Sequence, residues 1–167
     1  AGPALRVPRD TGVASLPING VSCQFRTCYA TDLLPLQLTG LTHSVTGDGA
    51  LLSLQLDMTC PGQLGELDVS QLRLHLAGER YISQTLYLGL LRHVDHVTVL
   101  AKDDLGEQLG VFTLPPDCLQ PVGFAEDQAL IPYPLNTFRG YRYLQDYFAF
   151  QDKFLFVDLS GRSEEHT

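Results

Sequence analysis

Regular alternation of apolar and polar residues is the feature that most constrains the fold of this chain. Leucine and methionine alternate with polar residues over 52–59, and shorter stretches with the same period occur at 34–38 and 72–76. A period of two places the apolar side chains on one face of a strand, which is typical of half-buried strands in an antiparallel sheet. Residues 46–49 read Thr-Gly-Asp-Gly, a composition that favours a hairpin turn because glycine and aspartate tolerate positive φ.

Three other segments depart from this alternation. Residues 79–92 carry apolar side chains at every fourth position, which predicts an amphipathic helix. Residues 138–147 predict a second, shorter helix, which Asn136 or Thr137 can cap. The run 154–159 is almost entirely apolar and predicts a central strand that is buried on both faces.

These patterns predict a mainly β, or α+β, fold: an antiparallel β-sandwich-like domain with two helices, at about 79–92 and 138–147. We expect one domain over 21–161, because 167 residues suit a single domain. Residues 1–20 are rich in proline and glycine and predict a linker or arm, and 162–167 form a polar tail. The chain has neither an initiator methionine nor a signal-like apolar run, so we expect a piece of a longer polypeptide.

Charge and hydropathy exclude two classes of partner. The formal net charge of −8 disfavours nucleic acid, since binding to phosphates needs clustered lysine and arginine. The same sign disfavours docking on anionic lipid. No stretch of about 18 apolar residues occurs, so the sequence predicts no direct membrane insertion.

The cysteines, at positions 23, 28, 60 and 118, predict free thiols rather than disulfides. Cys23 and Cys28 flank a predicted strand, on which residues five apart point to opposite faces and lie about 16 Å apart. A disulfide needs Cα atoms within about 7 Å. No pair has the close spacing of a zinc site. We therefore expect four reduced cysteines, mostly packed as small hydrophobic residues, and a reducing compartment.

Motifs for catalysis are lacking: there is no G-x-S-x-G elbow, P-loop or G-x-G-x-x-G sequence. His93 and His96 are the best metal candidates, but on a strand a spacing of three puts them on opposite faces, and no third ligand is evident. We expect no enzyme, no metal and no cofactor. A cysteine- or metal-dependent enzyme stays open as an alternative, because spacing along the chain does not decide which cysteines and histidines meet in space.

Aromatic residues are concentrated near the C-terminal end. More than half of the 7 tyrosines and 8 phenylalanines lie within 133–156. One interpretation is that the rings fill the core of the domain, and the other is that some face a partner, since tyrosine and arginine are enriched at interface hot spots. The residues predicted for such an interface are Phe138, Arg139, Tyr141, Arg142, Tyr147, Phe148 and Phe150.

Three blocks of sequence resemble one known family. Residues 138–161 read F-R-G-Y-R-Y-L-Q-D-Y-F-A-F-Q-D-K-F-L-F-V-D-L-S-G, and residues 23–36 contain C-Q-F-R-T-C-Y followed by D-L-L-P-L. A third block covers 119–134. Together they resemble the TssF family (also called VasA or ImpG), a baseplate subunit of the bacterial type VI secretion system. The chain departs from the family pattern at Leu34, where tryptophan is common, and at Gln151, where proline is common.

The resemblance implies a non-enzymatic structural subunit of the baseplate wedge, which scaffolds assembly of the contractile sheath and tube. Its implied partners are TssG, a second TssF copy, TssK, the VgrG hub region and TssE-like baseplate proteins. The implied location is cytoplasmic, in a baseplate complex docked at the inner membrane. The alternative, from the fold class alone, is a ligand- or carbohydrate-binding β-sandwich module, which would require a concave pocket with convergent polar groups.

Overall fold

The computed structural model groups the chain into two compact units, Ala1–Asp68 and Val69–Thr167. Each unit is considered by itself. The residues that the structure describes are 4–47, 49–60, 71–131, 133–134 and 138–161.

The first unit consists of paired antiparallel strands. Strand β1 pairs with β4, β2 with β3, and β5 with β6, so the unit contains three two-stranded sheets within its described residues. The β5–β6 hairpin turns where the Thr-Gly-Asp-Gly segment predicts it, with Thr46 opposite Gly49. The strands are β1 Leu5–Val7, β2 Gly12–Ala14, β3 Gln24–Arg26, β4 Thr31–Leu33, β5 Leu36–Thr46 and β6 Gly49–Met58.

The segment predicted as a linker or arm, 1–20, contains strands β1 and β2. Strands of three residues are too short to show a period of two, which is why the sequence pattern does not reveal them. The single domain predicted over 21–161 stays a prediction, because alternation marks strands without saying which of them pack together. The predicted tail, 162–167, lies outside the described residues, as do Asn136 and Thr137.

The second unit combines two antiparallel sheets with two helices. Its three-stranded sheet has the order β10-β11-β7, and β8 pairs with β9. Both helices occur close to their predicted positions, and β11 is the central strand, as the apolar run predicts. The elements are β7 Gln71–His75, α1 Arg80–Arg92, β8 Val97–Lys102, β9 Gln108–Leu114, β10 Leu119–Pro121, α2 Arg139–Ala149 and β11 Phe156–Ser160, with short 3-10 turns at Pro116–Cys118, Glu126–Gln128 and Gln151–Phe154.

The hydrophobic core of the second unit lies beside strand β11. Val157 is fully buried and clusters with Leu76, Cys118 and Leu119. Partly buried residues of α1, including Leu86 and Leu90, pack against this cluster. Together these features confirm the mainly β, or α+β, class. In the part of the chain that the structure describes, no helix is long and apolar enough to cross a bilayer.

A cross-strand ion pair joins β7 to β11. Arg73 lies opposite Asp158 in the register, and its Nε and Nη2 atoms donate to the two carboxylate oxygens at 2.7 Å each. Gln71 also donates to Asp158, whose side chain is only 10% exposed. Bidentate, charge-assisted bonds of this kind orient one strand against its neighbour as well as stabilising the pair.

We expect Asp158→Asn to lower the free energy of unfolding by about 1–3 kcal/mol, because the amide cannot accept both arginine bonds and leaves a donor unpaired. Urea denaturation followed by circular dichroism measures this. Glu126→Gln is the matched control, since Glu126 pairs with Arg139 at an exposed position, and it should change stability by less than about 1 kcal/mol. If the two substitutions lowered the free energy of unfolding equally, the Arg73–Asp158 pair would not have the stabilising role described here.

Candidate protein interface

Helix α2 places charged residues inside and aromatic residues outside. Arg142 and Asp146, four residues apart, are the buried residues of the helix. Tyr141, Leu144 and Phe148 follow a spacing of three and four residues, share the opposite side, and are exposed. This arrangement reverses the usual distribution on a surface helix, where the apolar stripe faces the core.

The buried side of α2 is held by an ion pair. Lys153, in the 3-10 turn Gln151–Phe154, reaches back to Asp146, and both side chains are only 1% exposed. The backbone N–H of Phe150 donates to the Asp146 carbonyl at 2.8 Å, which closes the end of the helix against this turn. A charge buried this deeply requires its partner, because desolvation of an unpaired ion costs several kcal/mol.

The Phe124 carbonyl fixes the start of the same helix. It accepts hydrogen bonds from Arg142 Nη2 at 2.7 Å and from the Tyr143 hydroxyl at 3.0 Å. Gly123, just before it, has φ +104°, and a Cβ there would lie 3.1 Å from the Lys153 carbonyl oxygen. Glycine is therefore required at this point for the loop to approach the 3-10 turn.

The exposed side of α2 forms an aromatic surface, which we call the α2 face and define as Phe138, Tyr141, Leu144 and Phe148. Phe148 is 79% exposed and Phe138 72%. The Phe138 and Tyr141 rings meet edge to face with centroids 5.7 Å apart, and the Phe138 carbonyl accepts a hydrogen bond from the Tyr133 hydroxyl at 2.7 Å. The rings are thus ordered against each other while their outer surfaces stay uncovered.

An open groove of about 630 Å³ runs beside this face. Its lining is mainly apolar, and its polar groups are the Gln145 carboxamide and two tyrosine hydroxyls. The convergent set of polar groups that a carbohydrate site needs is not found in this groove. The lining residues are Ile131, Tyr133, Tyr141, Leu144, Gln145 and Phe148.

The aromatic residues predicted for the interface occupy two different environments. Phe138, Tyr141 and Phe148 lie on the exposed face. Tyr147 and Phe150 are less exposed, and Tyr147 also contacts the Phe154 ring, with centroids 6.3 Å apart.

The two arginines of the predicted set separate. Arg139 is exposed and pairs with Glu126 at the edge of the face. Arg142 differs from the sequence prediction, because it is only 5% exposed and holds the Phe124 carbonyl within the chain. Its position four residues before Asp146 puts it on the buried side of the helix, so it supports the face rather than belonging to it.

The list of residues predicted for the interface does not include Leu144, Ile131 or Tyr133, all of which line the groove. Leu144 could have been found, since it lies three residues after Tyr141 and four before Phe148. Ile131 and Tyr133 come from the proline-rich connection, and only the tertiary structure brings them beside α2.

Chemistry of other kinds is poorly supported by the described residues. No group of three or more histidine, cysteine or acidic side chains in that part of the chain could hold a metal ion. The four cysteines are free, as predicted, but the expectation that most of them are packed as small hydrophobic residues is wrong: Cys23 and Cys28 are exposed, and of the four only Cys118 is buried. Burial, reinforced by the nearby negative charge of Asp117, raises the pKa of the Cys118 thiol, which makes it a poorer nucleophile at neutral pH.

Comparison with known proteins identifies the family. The family model described as "Type VI secretion system, TssF" matches residues 2–167. The chain belongs to the TssF family. It is 32% identical, over 160 residues, to the type VI secretion system component TssF1 of Pseudomonas aeruginosa (strain PAO1), an alignment that covers 87% of this chain and 25% of TssF1.

A solved structure of a TssF complex has the same fold. The cryo-electron microscopy structure of the type VI secretion system TssK-TssF-TssG baseplate subcomplex contains a chain that matches with a TM-score of 0.75 and 27% identity. The match covers 100% of this chain and 31% of that one. The chain therefore spans about a quarter to a third of the length of the TssF proteins it matches.

Proposed function

We propose that this chain is part of a structural, non-enzymatic subunit of the type VI secretion baseplate wedge, and that the α2 face contacts a neighbouring subunit. The observation that carries the proposal is the structural match, over all of this chain and 31% of the other, to a chain of a TssK-TssF-TssG subcomplex. In this role the subunit scaffolds assembly of the contractile sheath and tube by holding its neighbours in register.

The physical character of the α2 face supports a contact surface. Large aromatic side chains lose little conformational entropy on binding and provide a large apolar area, which makes them frequent interface hot spots. The desolvation free energy of Lys153 and Asp146 is offset only while the two charges stay paired. The pair therefore keeps this side of α2 inward and the aromatic residues of the other side outward. An exposed apolar patch bordered by a charged pair, here Arg139 and Glu126, has the arrangement of an apolar centre with a polar rim.

The proposed partners follow from the family. TssG and TssK occur with TssF in the matched subcomplex and are the first candidates for contacts with the α2 face. A second TssF copy, the VgrG hub region and TssE-like proteins belong to the proposal through the resemblance alone. We also propose a cytoplasmic location, in a baseplate complex docked at the inner membrane.

The proposal assigns the subunit neither catalysis nor a cofactor. It is supported by the family's structural role and by the character of the groove, whose lining is mainly apolar, with one carboxamide and two tyrosine hydroxyls. The cysteine of the second unit is buried against the core instead of opening into that groove.

Phe148→Ala and Tyr141→Ala, made in the full-length subunit, should each weaken binding to TssG or TssK by about 30-fold or more, the effect expected for loss of an interface hot spot. The stability of the subunit should change by less than about 0.5 kcal/mol for Phe148→Ala, because that ring is 79% exposed. Co-purification and biolayer interferometry measure the binding, and chemical denaturation measures the stability.

Tyr81→Ala is the matched control for Tyr141→Ala. Tyr81 is also exposed, at 78%, and also lies on a helix, α1. We expect this variant to bind TssG and TssK as the parent does. Unchanged binding of both α2 variants at unchanged stability would overturn the interface assignment, and loss of folding would show that the rings belong to a core.

A further inference from the structure

The β5–β6 hairpin has one apolar and one polar face. Two residues that pair across neighbouring strands lie on the same face of the sheet. Every second residue along one strand also lies on the same face. On the polar face, Gln37 lies opposite Asp57 and Thr42 opposite Ser53, and Leu51, opposite Ser44, is the one large apolar residue among its paired positions. The other face carries Leu36, Leu38, Leu41, His43 and Val45 of β5 and Ala50, Leu52, Leu54, Leu56 and Met58 of β6. We call this second set the leucine face.

A β-bulge keeps the leucine face continuous. Leu38 lies opposite Leu56 and Leu41 opposite Leu54, although Leu38 and Leu41 are three residues apart. A regular strand would point them in opposite directions. The register shifts between Leu38 and Gly40, and this one extra residue returns Leu41 to the side of Leu38.

Most of the leucine face is uncovered within the first unit, although Leu36, Leu52 and Met58 are half-buried. Leu41 is 60% exposed and Val45 73%. Among residues 4–47 and 49–60, Pro35 alone is buried. The described part of the unit therefore has many apolar side chains but no buried cluster of them. A two-stranded hairpin is marginal by itself, and burying a leucine contributes about 1.5–3 kcal/mol. A covering layer is therefore what would stabilise this hairpin.

We propose that the leucine face is one half of a β-sandwich, and that the other half is an apolar antiparallel sheet supplied by the same full-length subunit from outside these 167 residues. The matched TssF1 is about four times longer than its aligned part, so the family provides ample polypeptide for such a layer. The proposal depends on family membership and on the hairpin, and it is independent of the α2 face.

Shape and charge specify the occupant. The leucine face carries no lysine, arginine or carboxylate, so a charged surface would lose its hydration there without gaining a partner. Its two rows of side chains run the length of a strand of about ten residues, close to 34 Å. Aligned sheets pack about 10 Å apart with interdigitating side chains, which suits two rows of side chains that are apolar except at His43. A leucine- or valine-rich sheet therefore fits this face.

Thiol labelling tests the proposal. Leu41→Cys lies on the leucine face, and Thr42→Cys lies next to it on the polar face. Each variant is made in the 167-residue chain and in the full-length subunit purified without partners, then labelled with a maleimide, and the rate at the new cysteine is followed by peptide mass spectrometry. Native Cys118, which is buried in the core of the second unit, labels only when that unit opens, and far-ultraviolet circular dichroism of each variant checks that the strands of the first unit are retained.

In the 167-residue chain the two sites should label at similar rates, whereas in the full-length subunit Leu41→Cys should label about tenfold or more slowly than Thr42→Cys. Equal rates in the subunit would overturn the proposal. So would protection that appears only after partner subunits are added, only at higher subunit concentration, or already in the short chain. If the Leu41→Cys variant does not fold, Leu54→Cys replaces it, because Leu54 lies opposite Leu41 on the same face. The same labelling rates are then expected, and the same outcomes would overturn the proposal.

Discussion

Lys153→Met should lower the free energy of unfolding by about 3–5 kcal/mol, the cost of leaving one charge of a buried pair without its partner. Methionine keeps most of the volume of the lysine side chain but removes the ammonium group that pairs with Asp146. The carboxylate would then be dehydrated with no opposite charge. Because the chain has no tryptophan, urea denaturation followed by far-ultraviolet circular dichroism is the suitable measurement.

Arg139→Met is the matched control, since it removes a cation that also pairs with a carboxylate, but at an exposed position. We expect it to change stability by less than about 1 kcal/mol. The double substitution Asp146→Leu with Lys153→Met should recover much of the loss, because a buried pair can often be replaced by apolar residues of similar size. A cost below about 1 kcal/mol for Lys153→Met alone would contradict this account of the pair.

The double variant also separates stability from presentation of the α2 face. The ion pair fixes the helix against the 3-10 turn Gln151–Phe154 through one defined geometry, whereas an apolar contact permits several. If the pair orients the α2 face, the double variant should be stable yet bind TssG or TssK more weakly than the parent. If the double variant bound TssG and TssK as the parent does, the Lys153–Asp146 pair would contribute to stability and not to the orientation of the α2 face.

Leu76→Ala should lower the free energy of unfolding by about 2–5 kcal/mol, the range for removing a buried leucine from a packed core. Leu76 follows strand β7 and clusters with Leu119 and Val157. Its backbone N–H donates to the Leu155 carbonyl at 2.9 Å, a bond that the substitution leaves in place. The expected loss therefore reports on the cavity and on the lost apolar contact, and the same denaturation experiment measures it.

Leu105→Ala makes the same chemical change in the turn between β8 and β9, where the side chain is 88% exposed. It should change stability by less than about 0.5 kcal/mol. A similar effect of the two leucine substitutions would mean that the cluster around Val157 is not the core of the second unit.

The two helices and the central strand were predictable because each has a period or a run that local physics explains. Apolar residues every fourth position mark α1, and the continuous apolar run marks β11. The run is nevertheless not apolar throughout. Asp158 lies in the middle of β11, and only the pairing with Arg73 explains why a carboxylate is tolerated there.

The orientation of α2 was not predictable. Helical spacing alone groups Tyr141 with Phe148 and Arg142 with Asp146, but it does not say which group faces inward. The general preference for burying aromatic residues would have chosen the first group. The second group is buried because each of its members finds a partner outside the helix. Lys153 pairs with Asp146, and the Phe124 carbonyl accepts a hydrogen bond from Arg142.

The sequence by itself determined the family, the class of fold and the periodic elements, because motif blocks and side-chain periodicity are local properties of the chain. It also determined that the leucines of β5 and β6 would alternate, although not that a bulge between Leu38 and Gly40 would bring them onto one face. The tertiary structure decided which strands pair, where the core lies and which side of α2 is exposed. Those outcomes depend on partners far apart in the chain, whose attraction is realised only once the fold places them in contact.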